Sequence, residues 1–199
     1  MSSNMVAILY LTSALLFIFA LRGLSHPESS RTGNIFGVIG MIIAVFTTLM
    51  FKSVLSYYEI GAAILIGGAI GSFIALRIEM TALPQLVAAF HSLVGLAAVF
   101  VAAAAFYDPV AFNIGKVGSI KVASLVEMSI GTFIGAITFS GSVLAFGKLQ
   151  GTISGKPIVF KFQHLINALI FLLIIFLIIF FVVNQSPTIF WTIVVVSIL

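Results

Sequence analysis

Six apolar stretches dominate the chain, at 5–21, 33–51, 60–76, 84–106, 122–146 and 165–183. The roughly 30 Å hydrocarbon core of a bilayer takes about 20 residues of α-helix to cross, and each stretch is close to that length. A seventh begins near Thr188, after Pro187, and stops at Leu199 with only half a span in place. The expected fold is therefore all-α: a polytopic transmembrane helix bundle of six full spans and an incomplete seventh. The early stop marks the chain as a fragment or an unusually truncated gene product. Composition agrees. Only 7% of the 199 residues are charged, against roughly a quarter in ordinary soluble domains, and mean hydropathy is +1.32. A soluble enzyme is excluded, and no soluble domain fits anywhere in the sequence. Cysteine is absent, which removes disulfides, a thiolate nucleophile and Cys-ligated metal sites. No basic region precedes the first span and Arg22 follows Leu21, so a cleavable signal peptide is not expected.

The few charges are sorted by position. Of the nine Lys/Arg and five Asp/Glu, all but Glu127 lie outside the spans. Arg22, Arg31, Arg77, Lys148, Lys156 and Lys161 follow spans one, three and five; Lys52, Lys116 and Lys121 fall on the other side. The positive-inside rule puts the six-residue side in the cytoplasm and the N-terminus outside. The net charge of +4 is thus a topology signal and implies no nucleic-acid partner. Most loops are turn-like, as in Ser25-His26-Pro27-Glu28 and Tyr107-Asp108-Pro109, so successive helices should pack antiparallel. The longest and most basic cytoplasmic loop is GKLQGTISGKPIVFKFQ, 147–163.

Two ionisable residues lie within spans, His91 and Glu127. Such groups are costly in lipid and are either functional or paired. Imidazole, with an ordinary pKa of about 6.5, is the side chain best suited to exchange a proton near neutrality. The competing reading is a neutral imidazole joining two helices by a hydrogen bond. Ala88, His91, Gly95, Ala98 and Ala102 recur at helical spacing, as do Glu127, Gly131, Gly135, Thr138 and Ser142. Both stripes predict close-packed faces that also carry proton-competent groups. Glu127 lies near the outer end of its span, where a carboxylate can also simply reach the interface. The GxxxG pairs Gly33/Gly37, Gly67/Gly71 and Gly131/Gly135 point to helix packing. Gly151–Lys156 falls one residue short of a phosphate-binding loop and runs into Pro157, so no nucleotide site is expected, and no metal-ligand cluster is present in the pattern.

Several longer segments carry a family signature. EMTALPQLVAAFHSLVGLAA at 79–98 resembles the region around the membrane histidine in the beta subunit of proton-translocating nicotinamide nucleotide transhydrogenase. IGAITFSGSVLAFGKLQGTISGKP at 134–157 resembles the next helix and loop of that subunit, and RGLSHPESSRTGNIFGVIG at 22–40 and GGAIG at 67–71 match in order and spacing. The resemblance implies that residues 1–199 form part of a proton-translocating membrane domain with no NADP-binding domain. It implies a complete enzyme that couples inward proton movement to hydride transfer from NADH to NADP+. NAD and NADP would bind elsewhere, on an alpha subunit and on a soluble NADP-binding domain. A second copy of the complex would complete a dimer in the bacterial inner membrane, with the N-terminus of this chain periplasmic. By position, His91 corresponds to the family's proton-path histidine, Ser142 to a serine tied to that path, and Glu127 to an outer acidic position. The chain alone is expected to be inactive. Rival readings are a stand-alone proton or cation channel using His91, and a purely structural membrane fragment.

Overall fold

The structure, a computed structural model, describes residues 3–50, 56–157 and 159–199. Helices α1 (Ser3–Leu24), α2 (Ser30–Leu49), α3 (Tyr57–Arg77), α4 (Leu83–Tyr107), α5 (Val122–Leu149) and α6 (Gln163–Asn184) match the six expected spans, and α7 (Pro187–Ile198) matches the half-span. All six longer helices are apolar and long enough to cross a membrane. Several overrun the hydropathy limits because a helix does not stop at its first charge. Arg22, Glu59, Arg77 and Lys148 all sit in terminal turns, where a long side chain can reach the interface. Residue 51, the end of the second expected span, and Lys52 lie outside the described residues, as does residue 158 of the basic loop.

The chain divides into two compact units, Met1–Gly68 and Ala69–Leu199, with α3 contributing to both ranges. In the first, α1 and α2 pack antiparallel through a 3-10 turn at Pro27–Ser29. The seam is formed by Val6, Ser13 and Ala20 on α1 and by Gly33, Gly40 and Thr47 on α2. Both sets repeat every seven residues, the spacing that keeps one face on its partner along a supercoiled pair. Small residues bring the backbones together: a Cβ on Gly23 would lie 2.6 Å from the Gly33 Cα. The Ser13 hydroxyl donates to the Gly40 carbonyl at 2.7 Å, and the Tyr10 and Thr48 hydroxyls share a 2.9 Å bond. By contrast, α3 has no buried residue, and a Cβ on Gly61, Gly67, Gly68 or Gly71 would meet nothing within 4 Å.

In the second unit α4 and α5 form an antiparallel pair, and α6 and α7 pack against α5. Three rings close one end of the core: Phe106 of α4 lies 5.1 Å from Phe181 of α6 and 5.5 Å from Phe190 of α7, centroid to centroid. At the same end Trp191 donates through Nε1 to the Tyr107 hydroxyl at 3.0 Å, a pairing suited to the membrane interface. The α4–α5 connection contains a small hairpin, β1 (Gly115–Lys116) and β2 (Ser119–Ile120), in place of a plain turn. Gly115 and Gly118, at φ +141 and +78, supply backbone angles that other residues resist. The hairpin is fastened to the bundle by the Ile120 N–H, which donates to the Gln185 side-chain oxygen at 3.1 Å.

Candidate functional site

The α4–α5 seam is pinned at a glycine pair. A Cβ on Gly95 would sit 2.6 Å from the Gly135 carbonyl oxygen, and one on Gly135 would sit 2.7 Å from that of Gly95. Backbone meets backbone there, leaving no room for solvent between the helices. Near the end opposite the hairpin, the Gln85 amide donates to the Leu149 carbonyl at 3.1 Å. The other buried residues of the two helices are Ser92, Val99, Ala102, Ala103 and Phe106 on α4, and Leu125, Met128, Ser129, Thr132, Ala136, Ser142 and Gly147 on α5.

The crossing gives a common level from which to measure. At about 1.5 Å of rise per residue, Glu127 lies about 12 Å from it towards the hairpin. His91 lies about 6 Å, and Ser142 about 10 Å, on the opposite side. His91 and Ser142 thus come within about 5 Å in level, whereas Glu127 and His91 are about 18 Å apart. The three sites do not form one cluster.

Their surroundings differ as well. Ser142 is buried, with 9% of its surface exposed. His91 is exposed at the rim of the seam, one residue from the buried Ser92, and its side chain makes no hydrogen bond or ion pair among the described residues. Glu127 is exposed too, and it lines a cavity of about 450 Å³ on the hairpin side of the crossing. Ala98, Ala102 and Gly131 make that space by being small, and Phe112 and Ile114 of the connection also line it. Ser124 and Glu127 are its polar groups. A carboxylate and a hydroxyl in this otherwise apolar space offer partners for a bound water.

The two sequence stripes are therefore only half buried. Gly95 and Ala102 on α4, and Gly135 and Ser142 on α5, lie in the contact; His91 and Glu127 lie at its edges. Sequence reasoning passed over Thr132, whose side chain is fully buried and whose hydroxyl has no hydrogen-bond partner among the described residues. It belongs to the parallel row Leu125, Ser129, Thr132, Ala136, which has the same helical spacing and was the signal that could have found it. Among the described residues, no three of His, Asp and Glu converge as a metal site would require.

A family model described as NAD(P) transhydrogenase beta subunit matches residues 6–199, a range that includes all three sites. Two curated relatives, both named NAD(P) transhydrogenase subunit beta and both from Rhodospirillum rubrum, are 59% identical over 164 residues. That alignment covers 82% of this chain and 35% of each relative, so the chain spans about a third of the length of the curated relatives it matches. Six spans, the seam that unites α4 with α5, and a match of this length and identity agree: the chain belongs to the NAD(P) transhydrogenase beta-subunit family.

Proposed function

We propose that this chain is a proton-conducting membrane part of a transhydrogenase, in which inward proton movement drives hydride transfer from NADH to NADP+. The partners on this reading are an alpha subunit, an NADP-binding domain and a second copy of the complex. The setting is a bacterial inner membrane with the N-terminus periplasmic, as the loop charges favour. NAD and NADP are bound by other parts of the complete enzyme.

One observation carries the reading. The cavity at Glu127 is open on one side of the Gly95–Gly135 crossing, His91 and Ser142 are on the other, and the crossing itself is sealed by backbone contact. A coupled pump needs such a division, because an unbroken water wire would let protons through without work. Glu127 collects a proton from water on the hairpin side. Ordered water carries it around the flank of the crossing, since about 18 Å is far beyond a direct hand-over. His91 holds it, and it leaves past Ser142 towards the basic loops. The protonation state of His91 then biases the NADP-binding domain, a local charge change with a distant readout.

The test uses the complete enzyme in sealed vesicles. His91→Ala should abolish proton-coupled transhydrogenation while leaving uncoupled exchange at the NAD site less affected, and normal pumping by that variant would overturn the proposal. Glu127→Gln should cause a smaller loss. A wild-type pH profile in Glu127→Gln would leave that carboxylate as an interfacial group only.

A further inference from the structure

The first unit holds a cavity that the proton path does not use. It lies where α1 ends and α2 begins, has a volume of about 270 Å³, and is lined by Arg22, His26, Ser29 and Thr32 at its mouth and by Phe19 and Phe36 farther in. Its floor is the Gly23–Gly33 contact, where the two backbones touch. The turn above it is held by its own hydrogen bonds: the Ser29 hydroxyl donates to the Gly23 carbonyl at 2.8 Å, and the Ser29 N–H to the His26 carbonyl at 3.2 Å. Those bonds leave the cationic group free. The Arg22 guanidinium has no hydrogen bond or ion pair among the described residues. The one carboxylate of this turn, Glu28, is not part of the lining.

Polarity runs in one direction through this space. Arg22 is in the last turn of α1 and Thr32 in the first turn of α2, at the level where a span of this length reaches the lipid headgroups. Phe19 and Phe36 sit one turn deeper, with ring centroids 6.2 Å apart. A cation and hydroxyls at the headgroup level over aromatic rings at the acyl level match an amphiphile. The volume falls below the roughly 300–1,000 Å³ of sites for drug-sized ligands, which suits one headgroup and not a nucleotide. Basic pockets between membrane helices favour anionic lipid headgroups for the same electrostatic reason. We propose that this cavity binds the phosphate of an anionic phospholipid, with Arg22 and His26 on the phosphate and the start of the acyl chains against Phe19 and Phe36. This site is independent of the proton path.

The full chain, reconstituted in nanodiscs of equal phosphatidylglycerol and phosphatidylcholine and released for native mass spectrometry, tests it. Wild type should retain phosphatidylglycerol over phosphatidylcholine, and Arg22→Gln should lower that preference about fivefold, the worth of one basic side chain near a lipid surface. His26→Gln should lower it as a second, separate lesion. Arg22→Lys should keep part of the preference. Arg31→Gln, which alters a nearby charge in the first turn of α2 but outside the lining, should leave it unchanged. Equal retention of the two lipids by wild type would overturn the proposal. So would an equal loss in Arg22→Gln and Arg31→Gln, which marks diffuse attraction, or displacement of the lipid by inorganic phosphate, which marks a free-anion site.

Discussion

A methyl group has no room at Gly95 and ample room at Gly131, although both glycines lie on the seam-facing stripes of their helices. At Gly95 the added Cβ would press on the Gly135 carbonyl and the Phe139 N–H at 2.6 Å, both backbone atoms that cannot turn aside. At Gly131 it would meet nothing within 4 Å. Gly95→Ala should therefore destabilise the α4–α5 pair by about 1–3 kcal/mol, the usual cost of overpacking a tight contact. Gly131→Ala should be neutral or slightly stabilising, and thermal unfolding in detergent compares the two. Thr132 gives a second contrast. Its hydroxyl is buried without a partner, a condition that costs about 1–3 kcal/mol, so Thr132→Val should raise stability by about 1 kcal/mol. A lower melting temperature in that variant would mean that the hydroxyl has a partner outside the described residues. Periodicity made the small-residue faces legible but left their angle loose. One residue is a rotation of about 100° on a helix, and that is the difference between exposed His91 and buried Ser92.

At the scale of elements, hydropathy located all six long helices and the half-length seventh, because lipid allows few alternatives to an apolar helix. The hairpin between α4 and α5 was not legible. Its strands have two residues each, and it is tied to the bundle by burial of the Ile120 side chain and by one long-range bond from the Ile120 N–H to Gln185, a residue 65 positions away. Gln185 takes a left-handed conformation, φ 49°, to end α6 and present its side chain. Gln185→Ala should speed hydrogen exchange at the Ile120 amide about fivefold, the equivalent of about 1 kcal/mol for one hydrogen bond. Gln185→Gly should speed that amide equally while losing less stability, since glycine adopts the left-handed angle without strain. If exchange at Ile120 stayed at the wild-type rate in both, the hairpin would be held by the burial of the Ile120 side chain alone. The GxxxG signal was also uneven. Gly33 and Gly37 of α2 meet α1, whereas the Gly67/Gly71 pair of α3 faces open space.

For the molecule as a whole, the distribution of charge and the division of the α4–α5 seam lead to one expectation about proton flow. Loops and helix ends carry nearly all the charge, so the interior of the spans offers a proton only His91 and Glu127. These two are separated by about 18 Å and by a backbone crossing that excludes water. The cavity at Glu127 reaches inward to Ala98 and Gly131, one helical turn short of the glycine pair, and stops there. A proton that enters it has no path through the seam and must pass along the outer flank, where His91 is exposed and unpartnered among the described residues. On the proposed reading, the flank becomes hydrated only when the remaining parts of the enzyme are assembled with the chain. The chain reconstituted alone in liposomes should then be proton-tight: a pH-sensitive dye trapped inside should respond to an imposed gradient no faster than in empty vesicles. Adding the remaining parts of the enzyme with nucleotides should open the path, and His91→Ala should close it again. Proton entry through the isolated chain that His91→Ala abolishes would instead make it a channel in its own right. The crossing at Gly95 and Gly135 would then no longer serve as the barrier on which coupling depends.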